Sequence, residues 1–84
     1  MFFVYVLKSL IDGTTYIGMT ENLETRLKQH NEGKTKSIKH KLPMELFYYE
    51  AYRTKKQALQ REIELKKNSY AKEQLYNRIF GPFV

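Results

Sequence analysis

The chain of 84 residues contains no cysteine, which excludes both a disulfide framework and a cysteine-ligated zinc site. It also lacks a glycine-rich phosphate loop and a His-Glu-x-x-His motif. No apolar run approaches the ~20 residues of a membrane-spanning helix, and the opening segment, Met1–Val4, lacks the basic leader of a signal peptide. We therefore expect a cytoplasmic protein without a membrane partner.

Acidic residues are missing from one stretch of the chain, residues 34 to 42, although nine are present elsewhere. Fifteen Lys and Arg residues give a net charge of +6, and part of the excess is concentrated in this stretch. Such clustering is typical of a protein that binds a polyanion such as nucleic acid. The alternative is a solvated face that aids solubility. The lysines expected to bind nucleic acid are Lys34, Lys36, Lys39 and Lys41.

Length and a hydrophobic content of 42% predict one small globular domain over residues 1–84. Phe2–Ser9 is almost continuously apolar, as expected of a strand covered on both faces. Asp12 and Gly13 then predict a hairpin turn into a second strand over Thr15–Met19.

The register of this hairpin decides which side chains share a face of the sheet. If the loop has only two residues, Leu7 lies opposite Gly18. Because side chains alternate along a strand, that register places Tyr5, Tyr16 and Gly18 on one face.

The rest of the chain predicts three helices and a further strand. Thr20 or Asn22 can cap a first helix, and Gly33 suits its C-terminal end. A basic loop over residues 34–43 and an aromatic third strand over residues 44–52 follow. The predicted fold is therefore α+β, with a small three-stranded, mostly antiparallel sheet flanked by helices in the order β-β-α-β-α-α.

The last two helices begin at clear signals. Thr54 opens a capping box for a helix of about 14 residues. Ser69 can cap a final helix that continues to about Phe80 and ends at Gly81–Pro82. The apolar arc predicted for the first of these two helices contains Ala58, Leu59, Ile63 and Leu65. Glu62 lies near the middle of this arc.

Glu62 is the acidic residue that this arc directs toward the interior. A buried, unpaired carboxylate costs several kcal/mol, so Glu62 requires a partner. One alternative is an ion pair with Lys66, one turn later in the favourable Glu-to-Lys order. The other is a Mg²⁺ ion, which keeps several waters and often needs only one or two protein ligands.

Four other side chains have similar double interpretations. Arg26 and His30, at i and i+4, either fringe the core or grip a phosphate and carry a proton. Tyr5 and Tyr16 are either packing residues or groups that act on water. A tyrosine with a pKa of ~10 is ionised to only ~0.1% at pH 7, so a base of this type needs help from a nearby cation.

Taken in order along the chain, these residues resemble the GIY-YIG endonuclease domain, and above all its small stand-alone bacterial members. Phe3-Val4-Tyr5 stands at the GIY position, and Tyr16-Ile17-Gly18 is the YIG motif. Arg26 stands at the helix arginine, and His30 matches the His or Tyr of several branches. Glu62 lies in the segment that resembles the one holding the metal-binding glutamate. The similarity covers nearly the whole chain.

The resemblance implies phosphodiester hydrolysis with one Mg²⁺ or Mn²⁺ ion. It implies that Glu62 holds the metal and that Arg26 grips the scissile phosphate. It also implies that Tyr5, helped by Tyr16 or His30, orients and deprotonates the attacking water. We accordingly expect a metal-dependent endonuclease that nicks single-stranded or structured DNA. The catalytic residues so assigned are Tyr5, Tyr16, Arg26, His30 and Glu62, with Gly18 letting its strand pass close to the site.

The sequence departs from the family pattern in three places. Phe3 and Val4 replace the Gly and Ile of the first motif, and Met19 stands where some relatives carry a Lys. The late Asn of many of these nucleases has no sure counterpart, although Gln74 or Asn77 could supply an amide.

Two hypotheses from other classes stand beside the nuclease. A non-catalytic nucleic-acid-binding module would use the basic stretch for charge and the tyrosines of the third strand for stacking. A protein-interaction domain would use aromatic residues such as Tyr48 and Phe83. Salt-sensitive binding without cleavage would identify the first, and absence of affinity for nucleic acid would favour the second.

Overall fold

The structure is a computed structural model that describes residues 1–81, and its element order confirms the predicted α+β fold. Pro82, predicted at the end of the last helix, and Phe83, named for the protein-interaction hypothesis, lie outside the described residues. The elements are β1 (Phe2–Ser9), β2 (Thr15–Thr20), α1 (Leu23–Asn31), a 3₁₀ helix (Lys36–Lys41), β3 (Met44–Tyr52), α2 (Lys55–Lys67) and α3 (Ser69–Phe80).

The sheet has the order β2-β1-β3, and both pairings are antiparallel. Tyr5 lies opposite Gly18 and Leu7 opposite Tyr16, so the register predicted from a two-residue loop is wrong. The shift is two residues, an even number, and the side chains of Tyr5, Tyr16 and Gly18 therefore still belong to one face.

Residues 10–14, rather than two residues, connect β1 to β2 because polar side chains stabilise a wider loop. The Ser9 hydroxyl accepts hydrogen bonds from the backbone N–H groups of Ile11 (3.1 Å) and Asp12 (3.3 Å). The Asp12 carboxylate in turn accepts one from the N–H of Thr14 at 2.9 Å. Asp12 thus acts as an Asx-turn acceptor within the loop instead of a central hairpin residue.

Both faces of β1 are buried, as its apolar run predicted. Val4 and Val6 pack under α2 and α3, in a core that includes Leu75. Tyr5 and Leu7 pack on the opposite face, under α1 and the 3₁₀ helix. The sheet is therefore the middle layer between two helical layers.

The buried face of α2 differs from the predicted arc. Ala58 and Leu65 are buried, whereas Leu59 and Ile63 are 41% and 44% exposed. The buried face instead includes part of the Arg61 side chain, whose charge is neutralised by an acidic partner on β3. A wheel drawn from apolar residues alone cannot place a paired arginine in an interface.

The helix caps confirm part of the prediction and correct the rest. The side chains of Asn22 and Thr54 accept hydrogen bonds from the N–H groups of Thr25 and Gln57, as helix N-caps do. Asn68, and not Ser69, caps α3, because its Oδ1 accepts from the N–H of Ala71 at 3.1 Å. The stretch predicted as a basic loop contains the 3₁₀ helix.

Within residues 1–81, no helix combines the length and apolar character needed to cross a membrane.

Candidate active site

Tyr5 and Gly18 form the centre of the candidate site, on the face of the sheet covered by α1. They are direct cross-strand neighbours. A Cβ atom at position 18 would overlap with the hydroxyl oxygen and Cζ of Tyr5, so the phenol ring lies across the glycine. The Tyr16 ring is next to it, with ring centroids 6.5 Å apart. A residue without a side chain is needed at position 18 for Tyr5 to occupy this place.

His30 enters the same cluster from α1 and is fully buried. Its Nε2 lies 2.7 Å from the Tyr5 hydroxyl oxygen, and its Nδ1 lies 2.6 Å from the hydroxyl oxygen of Thr35. Its ring also meets the Tyr16 ring edge to face at 5.1 Å. Both ring nitrogens therefore have partners, and a continuous chain of hydrogen bonds runs through Tyr5, His30 and Thr35.

Thr35 is the residue of this chain that sequence reasoning missed. It lies between Gly33 and the 3₁₀ helix, in a stretch with no strand or helix periodicity. Gly33 has a φ of 82°, which reverses the chain after α1. The five-residue distance from His30 across such a turn was the one available signal, and it is weak.

Burial sets the protonation states of this cluster. It raises the pKa of Tyr5 to about 12; the nearby guanidinium of Arg26 acts in the opposite direction, and the Glu62 carboxylate adds to the rise. Burial, followed by the charge of Arg26, lowers the pKa of His30 to about 4. At neutral pH the phenol keeps its proton and the imidazole is uncharged.

Arg26 lies one helical turn before His30 and is half-buried. Its Nη1 donates a hydrogen bond to the amide oxygen of Gln29 at 3.1 Å. Its positive charge lowers the pKa of His30 and opposes the rise in the pKa of Tyr5, as a guanidinium near both side chains does. This is a suitable place for a phosphate-binding fork.

Glu62 reaches the site from α2, on the other side of the sheet, and its side chain is 17% exposed. Its Oε2 lies 3.3 Å from the Nζ of Lys66, and this Nζ is 5.9 Å from the centre of the Tyr16 ring. The ion pair, one of the two alternatives for Glu62, is therefore present, and it lies beside Tyr16. Its carboxylate contributes to the raised pKa of Tyr5.

A divalent cation fits beside Glu62 only if water molecules supply most of its ligands. Residues 1–81 contain no cluster of three or more His, Asp or Glu side chains that could hold a metal. Glu62 offers one half-buried carboxylate, which already forms an ion pair with Lys66. One carboxylate plus waters suits Mg²⁺, which seldom uses an all-protein cage.

The basic stretch lies on the α1 side of the molecule, attached to the site through Thr35. Lys34, Lys36 and Lys39 are exposed, and Lys41 is half-buried. Lys34 forms an ion pair of 3.5 Å with Glu32. Among the described residues, no hydrogen bond or ion pair joins these lysine side chains to the five predicted catalytic residues.

The two candidates for the late amide lie on α3, where both are exposed. Asn77 lines a groove between α2 and α3 that Lys66 also lines, whereas Gln74 does not. Asn77 therefore shares its groove with Lys66, the ion-pair partner of Glu62.

Known proteins resemble this chain in sequence and in structure. The sequence model of the GIY-YIG catalytic domain matches residues 1–77. A UPF0213 protein of Bacillus licheniformis is 44% identical over 75 residues, which cover 88% of this chain and 76% of the relative. One of Staphylococcus epidermidis is 42% identical over 73 residues, covering 86% and 85%. The solution NMR structure of the UPF0213 protein from Bacillus halodurans is 34% identical, has a TM-score of 0.58, and the match covers 98% of this chain and 89% of that one.

Proposed function

Because the chain belongs to the GIY-YIG catalytic-domain family, we propose that it is a divalent-metal-dependent endonuclease that hydrolyses phosphodiester bonds of DNA. In this proposal it acts in the cytoplasm and nicks single-stranded or structured DNA. The observation that carries the proposal is the hydrogen bond between the Tyr5 hydroxyl and His30 Nε2, with Arg26 and Glu62 close enough to act on the pKa of Tyr5.

The charged residues have complementary roles toward the phosphodiester. Arg26 grips the scissile phosphate, because a guanidinium offers paired donors to phosphate oxygens and its present partner, Gln29, is neutral. Glu62 would hold Mg²⁺ or Mn²⁺. When bound there, such an ion would stabilise negative charge on the leaving oxygen.

Tyr5 and His30 remove the proton of the attacking water as a relay. With a pKa of about 12, ionising Tyr5 at pH 7 costs roughly 7 kcal/mol, since each pKa unit is worth about 1.4 kcal/mol. Protonating His30, with a pKa of about 4, costs roughly 4 kcal/mol. Tyr5 therefore accepts the proton of water while passing its own to His30 Nε2, and Nδ1 keeps its hydrogen toward Thr35.

The direct test is cleavage of branched and single-stranded DNA by the purified protein with Mn²⁺ or Mg²⁺, beside Glu62→Ala. We expect metal-dependent nicking by the native protein and a loss of at least a hundredfold in the variant. Cleavage that continues unchanged in Glu62→Ala would remove the proposed metal-binding role. A second variant, Glu62→Gln, keeps the side-chain volume and guards against a simple folding defect.

A second candidate function is a nucleic-acid-binding module without catalysis. It is favoured by the pairing of Glu62 with Lys66 and by the departures at Phe3, Val4 and Met19. In that case DNA binding would be salt-sensitive, cleavage would be absent with every divalent metal, and Glu62→Ala would bind as well as the native protein.

The third hypothesis, a protein-interaction domain, has less support. Tyr48 is half-buried against the core that lies under α2 and α3, and its hydroxyl donates to Glu50 at 2.7 Å, so it does not offer a free aromatic surface. Phe83 lies outside the described residues.

A further inference from the structure

The groove between α2 and α3, here called the α2–α3 groove, lies beside the candidate site and has a volume of about 690 Å³. That volume lies within the ~300–1,000 Å³ that is usual for ligand sites. Its lining includes Lys66, Ser69, Lys72, Glu73, Tyr76 and Asn77.

Two contacts show that this groove lies beside Tyr16. Lys66, which lines it, is also the ion-pair partner of Glu62 and lies over the Tyr16 ring. Tyr76, at another point of the lining, forms a hydrogen bond of 2.7 Å with the hydroxyl of Thr15, the residue before Tyr16. The groove therefore runs along the start of β2 and meets the site at Lys66.

The chemistry of the lining suits a phosphate backbone. Lys66 and Lys72 supply two ammonium groups, and Ser69 and Asn77 supply neutral donors. These are side chains that contact phosphate and sugar without reading bases. The ammonium of Lys72 lies 5.4 Å from the centre of the Tyr76 ring, so the aromatic surface holds one charge in the groove.

We propose that the α2–α3 groove holds a single-stranded segment of the nucleic-acid substrate next to the bond to be cleaved, through sequence-independent backbone contacts of Lys66 and Lys72. The segment is single-stranded in this inference because the proposed nuclease nicks single-stranded or structured DNA. The inference rests on the proposed nuclease function for the identity of the polymer, and it assigns substrate binding to a surface other than the basic stretch at residues 34–41.

The experiment compares two double variants that remove the same charge. Lys66→Ala/Lys72→Ala changes the groove, and Lys34→Ala/Lys36→Ala changes the basic stretch. Binding of a fluorescent oligothymidylate is measured by anisotropy in EDTA, over a series of salt concentrations, with circular dichroism as a check on folding. Because no metal is present, the result does not depend on cleavage, which is assayed separately.

We expect the groove variant to bind at least tenfold more weakly than the native protein. Its plot of log affinity against log salt should be shallower by about 1.4, because two phosphate contacts are lost at ~0.7 each. The Lys34→Ala/Lys36→Ala variant should lose less than threefold. Equal losses, or a larger loss in the basic stretch, would overturn the assignment.

Two further measurements test the sign of the charge and the form of the ligand. Glu73→Gln removes the acidic side chain of the lining and should tighten binding of the oligothymidylate about twofold to threefold. A blunt DNA duplex should bind to the native protein more weakly than the single strand. Unchanged binding in Glu73→Gln, or preference for the duplex, would contradict a single strand in the groove.

Discussion

Arg26 and Arg61 are both half-buried beside tyrosines, on opposite faces of the sheet, but their partners differ. Arg61 donates from Nε and Nη2 to the two oxygens of Glu50, at 2.9 and 3.0 Å, and from Nη1 to Glu64. Arg26 donates to the neutral amide of Gln29. One guanidinium is fully engaged by carboxylates within the fold, whereas the other keeps its charge for a partner outside it.

The carboxylates of Glu50 and Glu62 show the same contrast. Glu50 accepts hydrogen bonds from Arg61, Tyr48 and Tyr52. Burial alone would raise its pKa, but these hydrogen bonds, that of Arg61 first, lower it. Glu62 has a single 3.3 Å contact with an exposed lysine. The cluster around Glu50 is therefore a closed structural element, whereas the charges of Arg26 and Glu62 near Tyr5 are less fully neutralised within the fold and suit substrate and cation.

The largest effect should follow from changing the unengaged arginine. Arg26→Lys keeps the charge but removes the paired donors, and we expect a loss of 10²–10³ in cleavage rate, the size seen when one preorganised donor to a developing charge is removed. The free energy of unfolding should change by less than about 1 kcal/mol, because only a neutral partner is lost. Cleavage kinetics and urea unfolding measure the two quantities. A variant that unfolds readily but retains its cleavage rate would reverse the contrast.

Changing the engaged arginine should affect stability instead. Arg61→Met leaves Glu50 in its half-buried position without its cation, and we expect the free energy of unfolding to fall by about 3 kcal/mol. Urea unfolding checks this value. The double variant Arg61→Met/Glu50→Gln removes both charges and should recover part of the loss. If the double variant is less stable than the single one, the pair is not the source of the stability.

The sequence predicted the parts of the site that depend on local spacing. Tyr5, Tyr16 and Gly18 share a face because strand alternation is insensitive to an even register shift. Glu62 and Lys66 pair because residues four apart on a helix are neighbours. Neither inference required knowledge of the tertiary fold.

Long-range partners were not predictable in this way. Arg61 and Glu50 are eleven residues apart, on α2 and β3, and no periodicity links them. Arg61 occupies the buried face of α2 with Ala58 and Leu65, whereas Leu59 and Ile63 are exposed, so a wheel drawn from apolar residues alone was misleading. The 34–43 stretch was predicted as a loop, and a loop prediction cannot show that Thr35 contacts His30.

Because His30 is buried in its uncharged form, the free energy of unfolding should decrease in mild acid. The pKa of His30 is about 4 when folded, against an ordinary value of 6.5, so between these values only the unfolded chain takes up the proton. The contribution of His30 to the free energy of unfolding is fully present above pH 6.5, and it falls as the pH decreases toward 4. From pH 6.5 to 5 the expected loss is about 2 kcal/mol.

Urea unfolding over this pH range measures the slope, with His30→Gln as the control. The Glu50 pKa is lowered from 4.5, so that carboxylate contributes chiefly at more acidic pH and does not obscure the window. The control should show a much flatter dependence. An equal slope in His30→Gln would assign the acid sensitivity to other groups.

The smallest effect concerns Thr35, which distinguishes a positioned imidazole from one that is merely buried. Thr35→Val keeps the shape but leaves His30 Nδ1 without its partner, and we expect a stability loss of about 1 kcal/mol. Cleavage should fall about tenfold, because the relay needs the Nδ1 hydrogen held on Thr35. Thr35→Ser restores the hydroxyl and should restore both quantities. If the serine variant cleaves as slowly as the valine variant, the hydroxyl does not orient His30, and the contrast between the two clusters rests on Arg26 and Glu62 alone.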